Sequence, residues 1–333
     1  MTVDIRPLLR ANVQFSVQKN VVVADVSGFL VKIESKCPED VLAVLHACDG
    51  SIAIHEISEI TGVSRDDVAG IVSACGEAGL ILRDLPRSPT VDGKELLRVL
   101  QQRYSYWNDE IFGADLWIYL MSGKATDSLV NGWLQESFHF IRGAASRLAY
   151  AASLSADRKV TSHLLDHHLE EYDHYAFFSD AIARRGVSVS QVPLPGTEAV
   201  INSARAAARR GALQYVACSG LLESSGSNTK RAMSFYETVE RNFDKSNTGF
   251  VKPLLKHVGL DAEYQHGSIC AEILESYGQI PTDLANDILN TARDFKDTLS
   301  LWFSDIYSFY ILRPEDAGPH CRSQYRPSKE GFL

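Results

Sequence analysis

From Glu95 to Tyr310 the apolar residues recur at three- and four-residue spacings, and no stretch alternates in the manner of a half-buried strand. A run of this kind can bury its apolar faces only by packing helix on helix, so the greater part of the chain must be a helical bundle. The last of its helices, Pro281 to Tyr310, shows the pattern most clearly. Leu284, Ile288, Ala292, Phe295, Leu299, Phe303 and Ile306 lie on one face and make it a wall of the core. Other long candidates are Leu129–Leu154, Lys159–Arg185, Thr197–Leu222, Lys230–Asp244 and Glu263–Tyr277.

Residues 1–88 have a different texture. Val13–Val17, Val21–Asp25 and Gly28–Ile33 read as short strands, with Gln18-Lys19-Asn20 turning between the first two. After Cys37-Pro38 the period becomes helical through Ala47. Ile54–Thr61 gives a second helix, and Ser64 caps a third, Arg65–Ala78, which Gly79 stops before a closing strand at Leu80-Ile81-Leu82. This is the outline of a small α+β winged-helix module. Pro86, Pro89 and Gly93 mark a linker, and the polar segment 313–333 reads as a tail.

Bulk composition narrows the function. The 333 residues suffice for two cores. A net charge of -9 disfavours a general nucleic-acid binder, and the third helix, Arg65-Asp66-Asp67 and then no Lys or Arg, offers little to phosphate. No apolar run is long enough to span a bilayer and no signal-like start is present, so the expectation is a cytoplasmic protein without membrane contact. Six scattered cysteines with no C-x-x-C pair fit reduced thiols and argue against a structural zinc site.

Seven of the ten histidines fall between His139 and His266. Two close the same frame, Glu136-Ser-Phe-His139 and Glu171-Tyr-Asp-His174. A carboxylate three residues before an imidazole places both on one helical face. Repeated on neighbouring helices, that frame builds a carboxylate-bridged two-metal site. His163, His167, Glu171 and His174 form one stripe, flanked by His168 and Glu170. Burying imidazoles and carboxylates together costs free energy unless each is bonded, whereas a solvated face would use Lys, Arg and Glu. Further donors lie around His257, Asp261, Glu263 and His266, and Glu237 or Glu240 could add another carboxylate. Mixed oxygen and nitrogen donors without thiolate suit iron or manganese.

The run Leu169-Glu170-Glu171-Tyr172-Asp173-His174, followed by aromatic residues and Arg185-Gly186-Val187, resembles the signature helix of the haem-oxygenase-like di-iron oxidases. Their superfamily also holds the TenA thiaminases and the pyrroloquinoline-quinone synthase PqqC. Gln135-Glu136-Ser137-Phe138-His139 and the stretch after His266-Gly267 resemble two further helices of that family. The resemblance spans about Glu95 to Tyr310 and implies a seven-helix up-and-down bundle (residues 95–312), usually a homodimer. It also implies two irons per chain with dioxygen as co-substrate, and an external electron donor as a further partner. Carried over by position, the metal ligands would be Glu136, His139, Glu171, His174, His257, Asp261 and His266. Glu171 and His174 would stand closest to the reaction, and His167, His168, Glu237 and Glu263 would support the centre or the substrate. The family writes His-x-x-x-Asp with a last His about three residues on. His257 and Asp261 keep the first spacing, but His266 follows Asp261 by five.

Residues 1–88 resemble PqqD-type peptide-recognition domains, on Arg6-Pro7 with its two strands and on the ending Gly76-Glu77-Ala78-Gly79-Leu80-Ile81. The resemblance implies a peptide or carrier-linked partner added as a strand beside the third strand. Phe29, Val31 and Ile33, with Val68, Ile71 and Val72 on the third helix, would grip it, and the strand's other face, Leu30 and Lys32, is an equal candidate. The combined expectation is an oxidase acting on an amino-acid-derived or peptide substrate in natural-product or peptide maturation. Two alternatives stay open: a metal-free, PqqC-like oxidase using His167, His168 and Arg142, and a non-catalytic peptide-binding scaffold.

Overall fold

The computed structural model describes residues 6–10, 13–26, 29–82, 85, 88–223, 227–264 and 268–312. In chain order the elements are β1 (Leu8–Leu9), β2 (Val13–Gln18), β3 (Val21–Val26), β4 (Phe29–Glu34), α1 (Pro38–Ala47), α2 (Ile54–Thr61), α3 (Arg65–Glu77), β5 (Ile81–Leu82), β6 (Thr90–Asp92) and α4 (Gly93–Phe112). Then follow α5 (Asp115–Ser122), α6 (Asp127–Ile141), α7 (Ala144–Ser153), α8 (Arg158–Glu170), α9 (Tyr175–Arg184), α10 (Pro195–Arg210), α11 (Ala212–Leu222) and α12 (Ser227–Phe243). The chain continues with α13 (Lys252–Glu263), α14 (Ile269–Ser276), β7 (Gln279–Pro281), α15 (Thr282–Tyr307) and a π-helical turn, Ser308–Leu312. It divides into two compact units: residues 1–109 with 274–287, and 110–273 with 288–333.

In the first unit β2, β3 and β4 form an antiparallel sheet in that order, with Lys19 left-handed in the turn that pairs Gln18 with Val21. One face of the sheet, Val22 and Ala24, packs against Val44 and Leu45 of α1, Ile57 of α2 and Val68, Val72 and Cys75 of α3. Ser64 caps α3 by accepting from the Asp67 amide. A left-handed Gly62 closes α2. The short strand β1, unanticipated from sequence, pairs with β5. The last part of the expected linker is a strand, since β6 pairs with β7 from far along the chain and so joins residues 274–287 to this unit.

The expected gripping surface is divided. Val68 and Val72 are buried and belong to the module's core, and Val31, Ile33 and Ile71 are half-buried and pack onto that core. The Phe29 side chain lies outside the described residues. What β4 presents outward is its other face, with Leu30 60% exposed beside exposed Lys32 and Glu34, on a strand that is an edge of its sheet.

In the second unit several expected long helices are pairs. Leu129–Leu154 breaks at Arg142-Gly143 into α6 and α7, Lys159–Arg185 at Glu171–His174 into α8 and α9, and Thr197–Leu222 at Gly211 into α10 and α11. Of the helix expected over Glu263–Tyr277, the described part is α14, Ile269–Ser276, and residues 265–267 lie outside the described residues. The segment Lys252–Glu263 is helical too, with Gly259 inside it. The polar tail 313–333 lies outside the described residues. Among the described residues no helix is long and apolar enough to cross a membrane.

Candidate metal centre

At the junction of α8 and α9 the backbone stays close to right-handed helical angles, but the i to i−4 ladder lapses. Ala176 and Phe177 donate instead to Asp173 and His174, three residues back. Glu171 and His174 therefore sit on the break and not along a continuous stripe. His174 is 2% exposed, and its Nδ1 lies 2.7 Å from Glu171 Oε1, close enough for an ion pair when the ring is protonated.

Helix α13 packs against α9 and supplies the next two groups. His257 and Asp261, four apart and one turn along, share a face. His257 Nδ1 is 3.1 Å from Asp261 Oδ2, His174 Nδ1 is 3.7 Å from Asp261 Oδ1, and the two imidazole rings lie edge to face at 4.8 Å. His174, His257 and Asp261 can each turn one donor atom to a common point, all within 4.8 Å of one another. Donors around one ion at bond lengths of about 2.1 Å stand about 3.0–3.5 Å apart, so these three would draw closer together on holding a metal.

A second group shares Glu171. His167, 2% exposed, holds its Nε2 3.7 Å from Glu171 Oε1 and 3.5 Å from Glu223 Oε2. Ser219 fixes Glu223 by donating to its Oε1 at 2.9 Å. Glu223 was missed in the sequence because its partners are remote. The available signal was that residues 211–222 contain no Asp, Glu, Lys or Arg, so Glu223 is the first such charge after an almost wholly buried helix.

The electrostatics follow from this packing. Burial pushes the Glu171 carboxyl up, but the hydrogen bonds and charges of His167 and His174 outweigh it and hold the group well below the usual carboxylate range. Burial and the Asp261 charge both push the Tyr236 phenol up.

Other expected ligands are placed differently. Glu136 is fully buried, and its carboxylate already has three donors: the Leu194 amide at 2.9 Å, Thr197 Oγ1 at 2.7 Å and the Tyr310 hydroxyl at 3.3 Å. Trp302 Nε1 extends that network to Thr197 at 2.7 Å. Glu136 thus ties the start of α10 to Tyr310. His139 is half-buried, with Phe138 edge-on to its ring. His168 Nδ1 bonds the Ala145 carbonyl at 2.8 Å. Glu237 and Glu263 are exposed, and so is Arg142. His266 lies outside the described residues, and three positions after Asp261 stands Tyr264, 45% exposed.

No family model matches the sequence, and a search of curated proteins returns no relative. Solved structures do resemble it. A domain of unknown function with a haem-oxygenase-like fold from Shewanella denitrificans OS217 is 20% identical, with a TM-score of 0.58 over 67% of this chain and 96% of that one. A TenA homologue from Pseudomonas syringae pv. tomato is 13% identical, with a TM-score of 0.51 over 64% of this chain and 93% of the other. At such identities the likeness is one of fold alone: the protein is mainly helical with a haem-oxygenase-like fold, and a small strand-containing region lies at its N-terminal end.

Proposed function

We propose that this protein is a non-haem iron oxidase that uses dioxygen, with its metal held by Glu171, His174, His257 and Asp261 on one side and by Glu171, Glu223 and His167 on the other. The observation that carries the reading is the convergence of two imidazoles and a carboxylate from α9 and α13 on one point beside the buried Glu171. Iron bound there would supply the one-electron chemistry that dioxygen requires and protein side chains lack.

The chain's own residues do the rest. Glu171 stays ionised and presents a carboxylate to both groups of donors, the role of a bridge. Asp261 and Glu223 add negative charge that balances a cation, and the imidazoles complete each side. Ser219 orients Glu223, and the rings of Phe177 and Phe178 beside His257 keep water from that flank. The exposed edge of β4 with Leu30 and Lys32 suits an extended peptide or carrier-linked partner, bound by added-strand pairing.

The test is anaerobic titration of metal-free protein with ferrous iron, followed by oxygen exposure and optical spectra. Uptake of about two irons per chain, reduced in His174→Ala and Asp261→Ala, with an absorbance transient on adding oxygen, is the expected result. No uptake, or uptake indifferent to both substitutions, would sink the proposal and favour a metal-free oxidase or a scaffold.

A further inference from the structure

Arg147 lies in the first turn of α7 and is 5% exposed. Its Nη2 donates to the Phe140 carbonyl at 3.1 Å, at the kink between α6 and α7, and its guanidinium lies 4.8 Å from the centre of the Phe140 ring. Nε and Nη1 are buried and have no acceptor among the described residues. No carboxylate there lies within ion-pair distance of it either. By contrast, Arg185 meets Asp127 at 2.7 Å and Arg10 meets Asp109 at 3.3 Å. A buried guanidinium with open donors is costly, and proteins keep one where a ligand supplies the missing acceptor.

Two further observations give this cation a place and an orientation. An added Cβ at Gly143 would sit 2.7 Å from Nη1, so the glycine leaves the room the guanidinium occupies. The Tyr215 phenol, 6% exposed, is a hydrogen-bond partner of Arg147 and also feels the charges of Glu223 and Glu171, and α7 packs against α11, so Arg147 shares its surroundings with the Glu223 side of the candidate metal centre.

We infer that Arg147 anchors a carboxylate of the substrate, with the reacting part of that molecule directed at the donor cluster. The inference rests on the metal-centre reading for its direction, though not for the binding itself. One guanidinium with the charges of Glu223 and Glu171 in the same surroundings suits a single negative charge and disfavours a dianion such as phosphate. The substrate class that follows is a small carboxylic acid, an amino acid included, or a chain terminus. An interior residue of a peptide, with no free carboxylate, does not fit.

The experiment measures binding of hexanoate, its neutral analogue hexanamide and inorganic phosphate to the full chain by titration calorimetry, with and without iron. Hexanoate should bind at least about tenfold tighter than hexanamide in both states, the worth of one charge-assisted pair. Arg147→Gln should erase that preference. Gly143→Ala, which displaces the guanidinium, should weaken it, with near-ultraviolet circular dichroism verifying that each variant is folded. If Arg147→Gln does not fold, Gly143→Ala and Arg147→Lys carry the test. Equal binding of acid and amide, or a preference that survives in the folded variants, overturns the inference. So does a preference seen only with iron and lost in His174→Ala, because the carboxylate would then be going to the metal. Tighter binding of phosphate than of hexanoate overturns the assignment to a carboxylate. A chain that takes up no iron yet keeps the Arg147-dependent preference would overturn the proposed oxidase and leave the anchor standing.

Discussion

Replacing Glu136 separates the two roles its sequence frame allows. Truncation to Ala removes a fully buried acceptor from the Leu194 amide, Thr197 and Tyr310 at once. The two hydroxyls can reorient, but the amide cannot, and Leu194 is itself buried. One stranded main-chain donor, two weakened hydroxyl contacts and the small void together come to about 4 kcal/mol. For a unit of this size that is a fall in melting temperature of roughly 8–16 °C. Glu136→Gln keeps the shape and the doubly used oxygen and can turn its amide to Tyr310, so it should cost about 1.5 kcal/mol, the loss of charge assistance alone. Tryptophan fluorescence is the assay, because Trp117, Trp133 and Trp302 all lie in the second unit. Iron uptake, measured in parallel well below the transition, should match wild type in both variants. A Glu136→Ala protein that melts like wild type but has lost bound iron would refute the reasoning and return Glu136 to the metal.

Glu223→Gln should lower iron uptake by about one equivalent per chain while His174→Ala lowers it further, as metal analysis of desalted protein would show. Gly132→Ala should destabilise the second unit by about 2–3 kcal/mol in urea titration, because the new methyl would fall 2.2–2.4 Å from the Tyr310 ring, and wild-type stability would mean that ring moves freely. Of the described cysteines, Cys37 alone should react quickly with a disulfide reagent. Burial pushes the Cys48 thiol up to about 12 and Cys75 up to about 11, and Cys218 and Cys270 are buried too, so these four should react only on unfolding. In the iron-free chain Glu171 is depressed when folded, so its contribution to stability is present above its unfolded value of about 4.3 and fades as pH falls further. The stability gap between wild type and Glu171→Gln should therefore narrow in acid, and a gap that widens below about pH 4 would contradict the assignment.

Local signals in the sequence were reliable where the structure is local. The β2–β3 turn, the Ser64 cap and the stop at Gly79 read correctly because each depends on neighbours within a few residues. The breaks in the long helices were harder. At Glu171–His174 the backbone angles remain near helical, so apolar and polar residues keep their phase across the break and the periodicity shows no gap. Gly143 carries a visible signal, a glycine beside Arg142 and before a small-residue run, but nothing local tells that the room it leaves is taken by Arg147. The pairs Glu171/His174 and His257/Asp261 were legible because each is made within one turn. Glu223 and Arg147 were not, since their meaning comes from residues tens of positions away. The Glu136 frame was ambiguous for the complementary reason: i, i+3 spacing specifies a shared face and says nothing of what that face meets.

The charge arrangement gives the strongest physical reason to look for a cation here. Glu171, Glu223 and Asp261 bring three carboxylates around His167, His174 and His257 in a largely buried setting. The positive charge that holds them together must come from imidazolium protons, from a bound metal, or from Arg147 at one end. Protons and metal compete for the same ring nitrogens and carboxylate oxygens, so iron uptake should release protons into a weakly buffered solution. Arg147 cannot enter that exchange, because its guanidinium keeps its proton. With Arg147 counted and the imidazoles neutral, one divalent ion brings this set to neutrality. A second leaves it with an excess of two positive charges, as the sum of three carboxylates, one guanidinium and two ions shows. A two-metal centre in this frame therefore needs an anion to complete it, and a carboxylate-bearing substrate on Arg147 supplies part of that charge when chemistry is about to begin.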